Sequence, residues 1–181
     1  MAIKHAAWTH GSDISLESLS WRAFRQGYWT TVRPGWEGRF GWVHFAIPTP
    51  VIVDGVRLKA ESAMIRFKTG SNAKIMSFHV YDGERKIASH DGLNLRSDQL
   101  QFYRRDIPGD PQVLWGTNIS LGIEFDGDGR VAWVKAVYGV SVASVCGEKR
   151  RCVQSSETDG AVEMKSRLPR SNGLLCCMSM H

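Results

Sequence analysis

The chain has 181 residues, a formal net charge of +5, 43% hydrophobic residues and 23% charged residues. That balance gives enough apolar surface for a packed core and excludes global disorder, while the length suits one domain with an extension rather than two domains. No apolar run approaches the ~20 residues of a membrane helix, and acidic and basic residues are mixed along the chain rather than gathered into the focused basic face of a dedicated nucleic-acid protein.

The first residues, Met1 to Trp8, carry no apolar signal core, so the default compartment is the cytoplasm. From Ser15 to Gln26 two patterns compete. Leu16, Leu19, Ala23 and Phe24 fit helical spacing, whereas Leu19, Trp21 and Ala23 alternate; we read this segment as strand. Phe40 to Ile47 is a strand ended by Pro48 and Pro50. Val51 to Val53 and Val56 to Leu58 flank Asp54-Gly55, a hairpin signal because type I′ turns need positive φ. Ala63 to Thr69 alternates, with Ile65 and Phe67 inward. Lys74 to Tyr81 places Met76, Phe78 and Val80 on one face, with Ser77 and His79 on the other. Arg85 to Ser89 returns across Asp82-Gly83.

Asn118 to Phe125 sets Ile119, Leu121, Ile123 and Phe125 on one face. Asp126-Gly127-Asp128-Gly129 then reads as a turn rather than a calcium loop, because no further oxygen ligands stand in register. Arg130 to Val142 is apolar on both faces, as in a central strand. Many short strands at close spacing predict an all-β fold, an antiparallel β-sandwich of jelly-roll type, over residues 1–145.

Composition changes after that point. Residues 146–181 contain no aromatic residue and all four cysteines, Cys146, Cys152, Cys176 and Cys177. This basic tail buries too little to fold alone and is expected to be flexible or loosely docked. The cysteine spacings do not match a structural zinc site, so no metal or other cofactor is expected.

Three stretches carry a resemblance: His5-Ala6-Ala7-Trp8-Thr9-His10-Gly11, the run from His44 through Pro48 and Pro50 to Asp54-Gly55-Val56-Arg57, and His79-Val80-Tyr81-Asp82-Gly83. With them the chain resembles an uncharacterised family of small bacterial proteins over roughly residues 1–142. The resemblance implies an all-β domain and carries no activity or site residues.

Five of the seven tryptophans (Trp8, Trp21, Trp29, Trp36 and Trp42) fall in the first 42 residues. Flat rings beside hydrogen-bonding side chains suit sugar binding, where C–H groups stack and polar groups fix hydroxyls. The alternative is that the rings fill the core. The sites nominated are Trp29, Trp36 and Trp42 as stacking rings, with Arg33, Arg39 and Glu37 as polar anchors. His44 and His79, in separate strands, could approach a common ion if those strands neighbour, although spacing alone shows no converging set of three or four ligands. Asp106, Asp110, Glu61 and Glu84 could form carboxylate pairs.

The expected function is a non-catalytic binding or interaction module with carbohydrate as its partner. A self-assembling sandwich using an edge strand or the surface near residues 131–142 is the second reading. An enzyme with a cleft of carboxylates or histidines is the third. A protein partner or homo-oligomer stays open; membrane and nucleic-acid partners are not expected.

Overall fold

The computed structural model describes residues 5–36 and 38–126 in full, and the backbone of 134–146. Nearly every described segment pairs as strand. In chain order these are β1 (His5–Thr9), β2 (Ser15–Leu16), β3 (Arg22–Arg25), β4 (Thr30–Arg33), β5 (Phe40–Ile47), β6 (Ile52–Val53) and β7 (Val56–Lys68). There follow β8 (Gly70–Asp82), β9 (Arg85–His90), β10 (Leu95–Ser97), β11 (Gln101–Asp106), β12 (Thr117–Phe125) and β13 (Val134–Cys146). One turn of 3₁₀ helix, Gly11–Asp13, interrupts them. Of the nominated residues, Glu37 lies outside the described residues. So do the Gly127-Asp128-Gly129 turn, the side chains of the 131–142 surface and, beyond the backbone of Cys146, the 146–181 extension.

All described strand pairs are antiparallel, and they form two sheets. Sheet A runs β11-β7-β13-β4-β3, with β1 added to β13 and β6 to β7. Sheet B runs β10-β8-β12-β5-β2, with β9 added to β8. The fold is therefore the antiparallel β-sandwich that alternation implies. Between the sheets lie Val43 and Phe45 from β5, Ile65 from β7, Phe78 from β8, and Leu121 and Phe125 from β12, all buried. Alternation of burial is cleanest in β5, and the inward set of β12 matches the sequence reading.

In β8 the reading needs correcting at one position. A bulge between the partners of Gly122 and Ile123 shifts the phase, so Ile75 enters the core and Met76 does not. The segment from Ser15 resolves into β2 and β3 without α-helix. Between them Trp21 turns inward, packing edge-on against Phe125 with ring centroids 5.1 Å apart.

The first two Asp-Gly pairs do different work. At Asp54-Gly55 both residues have positive φ (51° and 73°), as a type I′ hairpin requires. At the second, Asp82 pairs with Arg85, so the two-residue loop is Gly83-Glu84. Only Gly83 has positive φ there (58°), the type II′ pattern. Asp82 is thus the last residue of the strand, with its side chain turned in and 1% exposed.

Gly41 is fixed by close approach: a Cβ there would sit 2.6 Å from Cζ2 of Trp21. Gly41→Ala should cost about 1–3 kcal/mol through overpacking. Gly27→Ala, where a Cβ meets nothing within 4 Å, should stay within about 0.5 kcal/mol of wild type. Urea unfolding of the two variants checks the contrast.

Candidate functional site

The outer face of sheet B is built by the residues that alternation rejects from the core. On β12 these are Asn118, Ser120, Gly122 and Glu124. Register fixes their neighbours. Gly122 lies between Trp42 and Ser77, Ser120 between His44 and His79, and Asn118 between Ala46 and Tyr81. The two histidines noted in the sequence therefore stand in one row across β12. On β9, Ser89 extends that row and Lys86 pairs with Tyr81.

Gly122 makes room for rings. A Cβ there would lie 2.9 Å from Cζ of Phe40, so the absence of a side chain lets Phe40 lie close over the strand. Trp42 meets Phe40 edge-on at 5.7 Å and His79 at 4.7 Å, and His79 lies 6.4 Å from Tyr81. Phe40, Trp42, His79 and Tyr81 form a continuous aromatic series across the face. A recess of about 450 Å³ opens over it, lined by Glu17, Trp42, His44, His79, Tyr81, Lys86 and Ser120. A second hollow of about 300 Å³ shares Glu17 and Trp42 and reaches Ser18 and Phe40.

The polar groups are held in place. The Glu17 backbone N–H donates to the Trp42 carbonyl (3.1 Å), which brings its carboxylate within 3.5 Å of His44 Nε2. His44 Nδ1 lies 2.8 Å from Ser120 Oγ, which also accepts from Asn118 Nδ2 at 3.1 Å. Asp91 lies just beyond β9. Its carboxylate takes His79 Nε2 at 2.8 Å and the Ser89 hydroxyl at 2.9 Å. Hydrogen bonds from Ser77, His79 and Ser89 favour the ionised form and hold the Asp91 carboxyl at about 2. This pair leaves no mark in local sequence, because the partner His79 lies on another strand. His90 instead stacks on Phe78 at 6.0 Å, and burial, followed by the charge of Arg105, lowers its pKa.

Of the nominated residues, Trp42 lies in the recess. Trp29 sits in the β3–β4 turn against Tyr28, with centroids 4.1 Å apart. Arg33, on β4, covers the Phe24 ring at 4.8 Å on sheet A. Trp36, 87% exposed, and Arg39 belong to the connection from β4 to β5, which arrives at the Phe40 end of the recess. The expectation of a single cluster is thus corrected. Trp29 and Arg33 belong to one sheet and Trp42 to the other. The core alternative for the rings holds for Trp21, the one fully buried tryptophan among the described residues.

Three of the four nominated carboxylates, Glu61, Asp106 and Asp110, do meet, around a separate recess of about 500 Å³. Arg104 stands among them, 3.5 Å from Glu61 and 3.8 Å from Asp106, so their charge is partly neutralised. No group of three or more ligating side chains suited to a metal ion occurs among the described residues.

A family profile matches residues 2–147. The chain belongs to DUF6623, a family of unknown function. That match covers the sandwich and agrees with the resemblance read in the sequence. No curated protein matches the DUF6623 chain. Among solved structures it is similar to CBM29_1, a family 29 carbohydrate binding module from Piromyces equi: 12% identity, 76% of this chain and 91% of that one, TM-score 0.45. It is also similar to CBM86, a low affinity xylan binding module from Roseburia intestinalis: 14% identity, 78% and 96%, TM-score 0.46. The xylan-binding module CBM15 gives 12% identity, 79% and 93%, and a TM-score of 0.41. Likeness at this level fixes neither a ligand nor a site.

The hydrogen bonds on Asp91 give a pH expectation. Its carboxyl is depressed on folding, so its stabilising contribution is present above the usual value of 3.8 and is lost as pH falls towards about 2. Carboxyl-carbon NMR should place its midpoint near 2. A midpoint at the ordinary aspartate value would mean that the Ser77, His79 and Ser89 bonds do not form in solution.

Proposed function

We propose that this protein binds carbohydrate on the outer face of sheet B, with Trp42 as the central stacking ring. One observation carries the reading: a recess of about 450 Å³ sets the rings of Trp42, His79 and Tyr81 beside Glu17, His44, Lys86 and Ser120. A pyranose has just these two surfaces. Its axial C–H groups form an apolar patch that lies on a ring face, and its equatorial hydroxyls need donors and acceptors at the rim. The recess offers both kinds: Glu17 and the Ser120 oxygen as acceptors and Lys86 as donor.

The polar groups are also pre-set. Glu17 with His44 and Asp91 with His79 hold each other before any ligand arrives, which reduces the ordering that binding must impose. Trp36 and Arg39, at the Phe40 end, are candidates to extend the contact there.

Titration of the full chain with soluble xylan, mannan and mixed-linkage β-glucan, followed by tryptophan fluorescence and calorimetry, tests the proposal. Saturable binding to at least one is expected. Trp42→Ala should weaken it by about tenfold or more, the loss of one stacked ring, while the unfolding midpoint changes little. Phe102→Ala removes a ring that is 56% exposed on sheet A and should leave binding unchanged. Equal loss in both variants, or none in Trp42→Ala, would refute the assignment to sheet B.

A further inference from the structure

Trp115 is 75% exposed, and Leu114 beside it is 41% exposed. Both lie in the connection between β11 and β12. An exposed indole on an irregular segment contributes little to folding, yet this one is held firmly. The buried Asp82 carboxylate accepts three successive backbone N–H groups, from Leu114 at 2.8 Å, Trp115 at 2.9 Å and Gly116 at 3.1 Å. Three backbone donors converging on one water-excluded side chain leave the segment little freedom to move. The Gly83 N–H closes the arrangement by donating to the Gly116 carbonyl at 3.0 Å. Gly116 has φ +130°, which glycine adopts at little cost. A Cβ on Gly83 would lie 3.0 Å from Cδ1 of Trp115, so the ring rests directly on the β8–β9 hairpin.

That hairpin ends the strand carrying the aromatic face. Along β8, Ser77 stands in the row of Trp42, His79 in the next, Tyr81 in the one after, and Gly83 two residues further. Six residues of antiparallel strand separate the Trp42 row from the Trp115 seat, or about 20 Å. This is longer than a monosaccharide or disaccharide can cover. Trp115 thus stands at the Gly83 end of the strand that carries Ser77, His79 and Tyr81.

We propose that Trp115 is a further stacking platform of the sheet B site, so that the ligand is a glycan chain lying along the strands rather than a short sugar, and that Asp82 is the residue positioning it. This rests on the carbohydrate reading above. Asp82 touches no ligand, being buried under the segment it holds. Its effect is to order the Trp115 backbone before binding, so that ordering does not oppose association.

Calorimetry of the full chain with xylo-, manno- and cello-oligosaccharides of two to six residues tests this. For the series that binds, the hexamer should bind at least about tenfold more tightly than the dimer. Trp115→Ala should bring hexamer affinity down to near the dimer's and leave dimer affinity unchanged, while Trp115→Phe should restore part of the difference. Asp82→Ala should act as Trp115→Ala does, with the selective loss for long chains marking positioning rather than general destabilisation. Should Asp82→Ala fail to fold, the two Trp115 variants still decide. A Trp115→Ala chain that binds the hexamer as wild type does, while Trp42→Ala loses both lengths, overturns the inference and leaves the site standing. No binding of any oligosaccharide or polysaccharide by the wild-type chain overturns the site reading, and this inference with it.

Discussion

The alternation of β12 is the constraint on which the rest depends. It pairs with β5 on one side and β8 on the other, so its register sets three strands at once. Ile119, Leu121, Ile123 and Phe125 are buried to 1% exposure or less. A one-residue slip would turn all four to water and bring Ser120 and Glu124 into the core. At about 1.5–3 kcal/mol for each large apolar side chain, such a slip costs about as much as the whole stability of a typical domain. The same register that protects the core places His44 and His79 on either side of Ser120, and Trp42 opposite Gly122. The row of side chains across this face is thus a by-product of core packing.

Much of the fold was legible in the sequence because its strongest strands have one wet and one dry face. Phe40–Ile47 and Thr117–Phe125 alternate cleanly and were found almost to the residue. Gln101–Asp106 was not, because it is an edge strand with only Tyr103 half-buried, and its polar residues resemble a loop. The β8 bulge could not be read either, since one unpaired residue leaves no local mark in composition. The Asp-Gly signal located a hairpin correctly but assigned Asp82 to the turn. The two-residue loop begins one position later, and this frees the Asp82 carboxylate to face inward.

The site was less legible, for a geometric reason. Tryptophan clustering along the chain suggested one aromatic face. Yet Trp29 precedes β4 in sheet A, and Trp42 lies in β5 of sheet B. In a sandwich, neighbours in sequence are routinely assigned to opposite sheets, whereas neighbours in space come from strands far apart. His44, His79 and Ser120 span 76 positions of sequence and meet in one row. The usable signal was the pair of histidines at outward positions of two apolar strands. Outward histidines there are not needed by the core, which leaves them for the surface chemistry of the face.

Tryptophan itself shows how context decides the role of a side chain. Trp21 and Trp42 are close in sequence, and each sits against a glycine. Gly41 gives Trp21 a place inside, where its edge meets Phe125. Gly122, on the opposite side of sheet B, gives Phe40 and Trp42 a flat floor outside. The sequence contains both glycines, but only the pleat says which faces the core. Trp115 is a third case, with neither core nor sheet beneath it except Gly83. There a buried carboxylate does what packing does for the other two. Three N–H bonds to Asp82 fix the backbone, and the ring is left free on the side that faces away from Gly83.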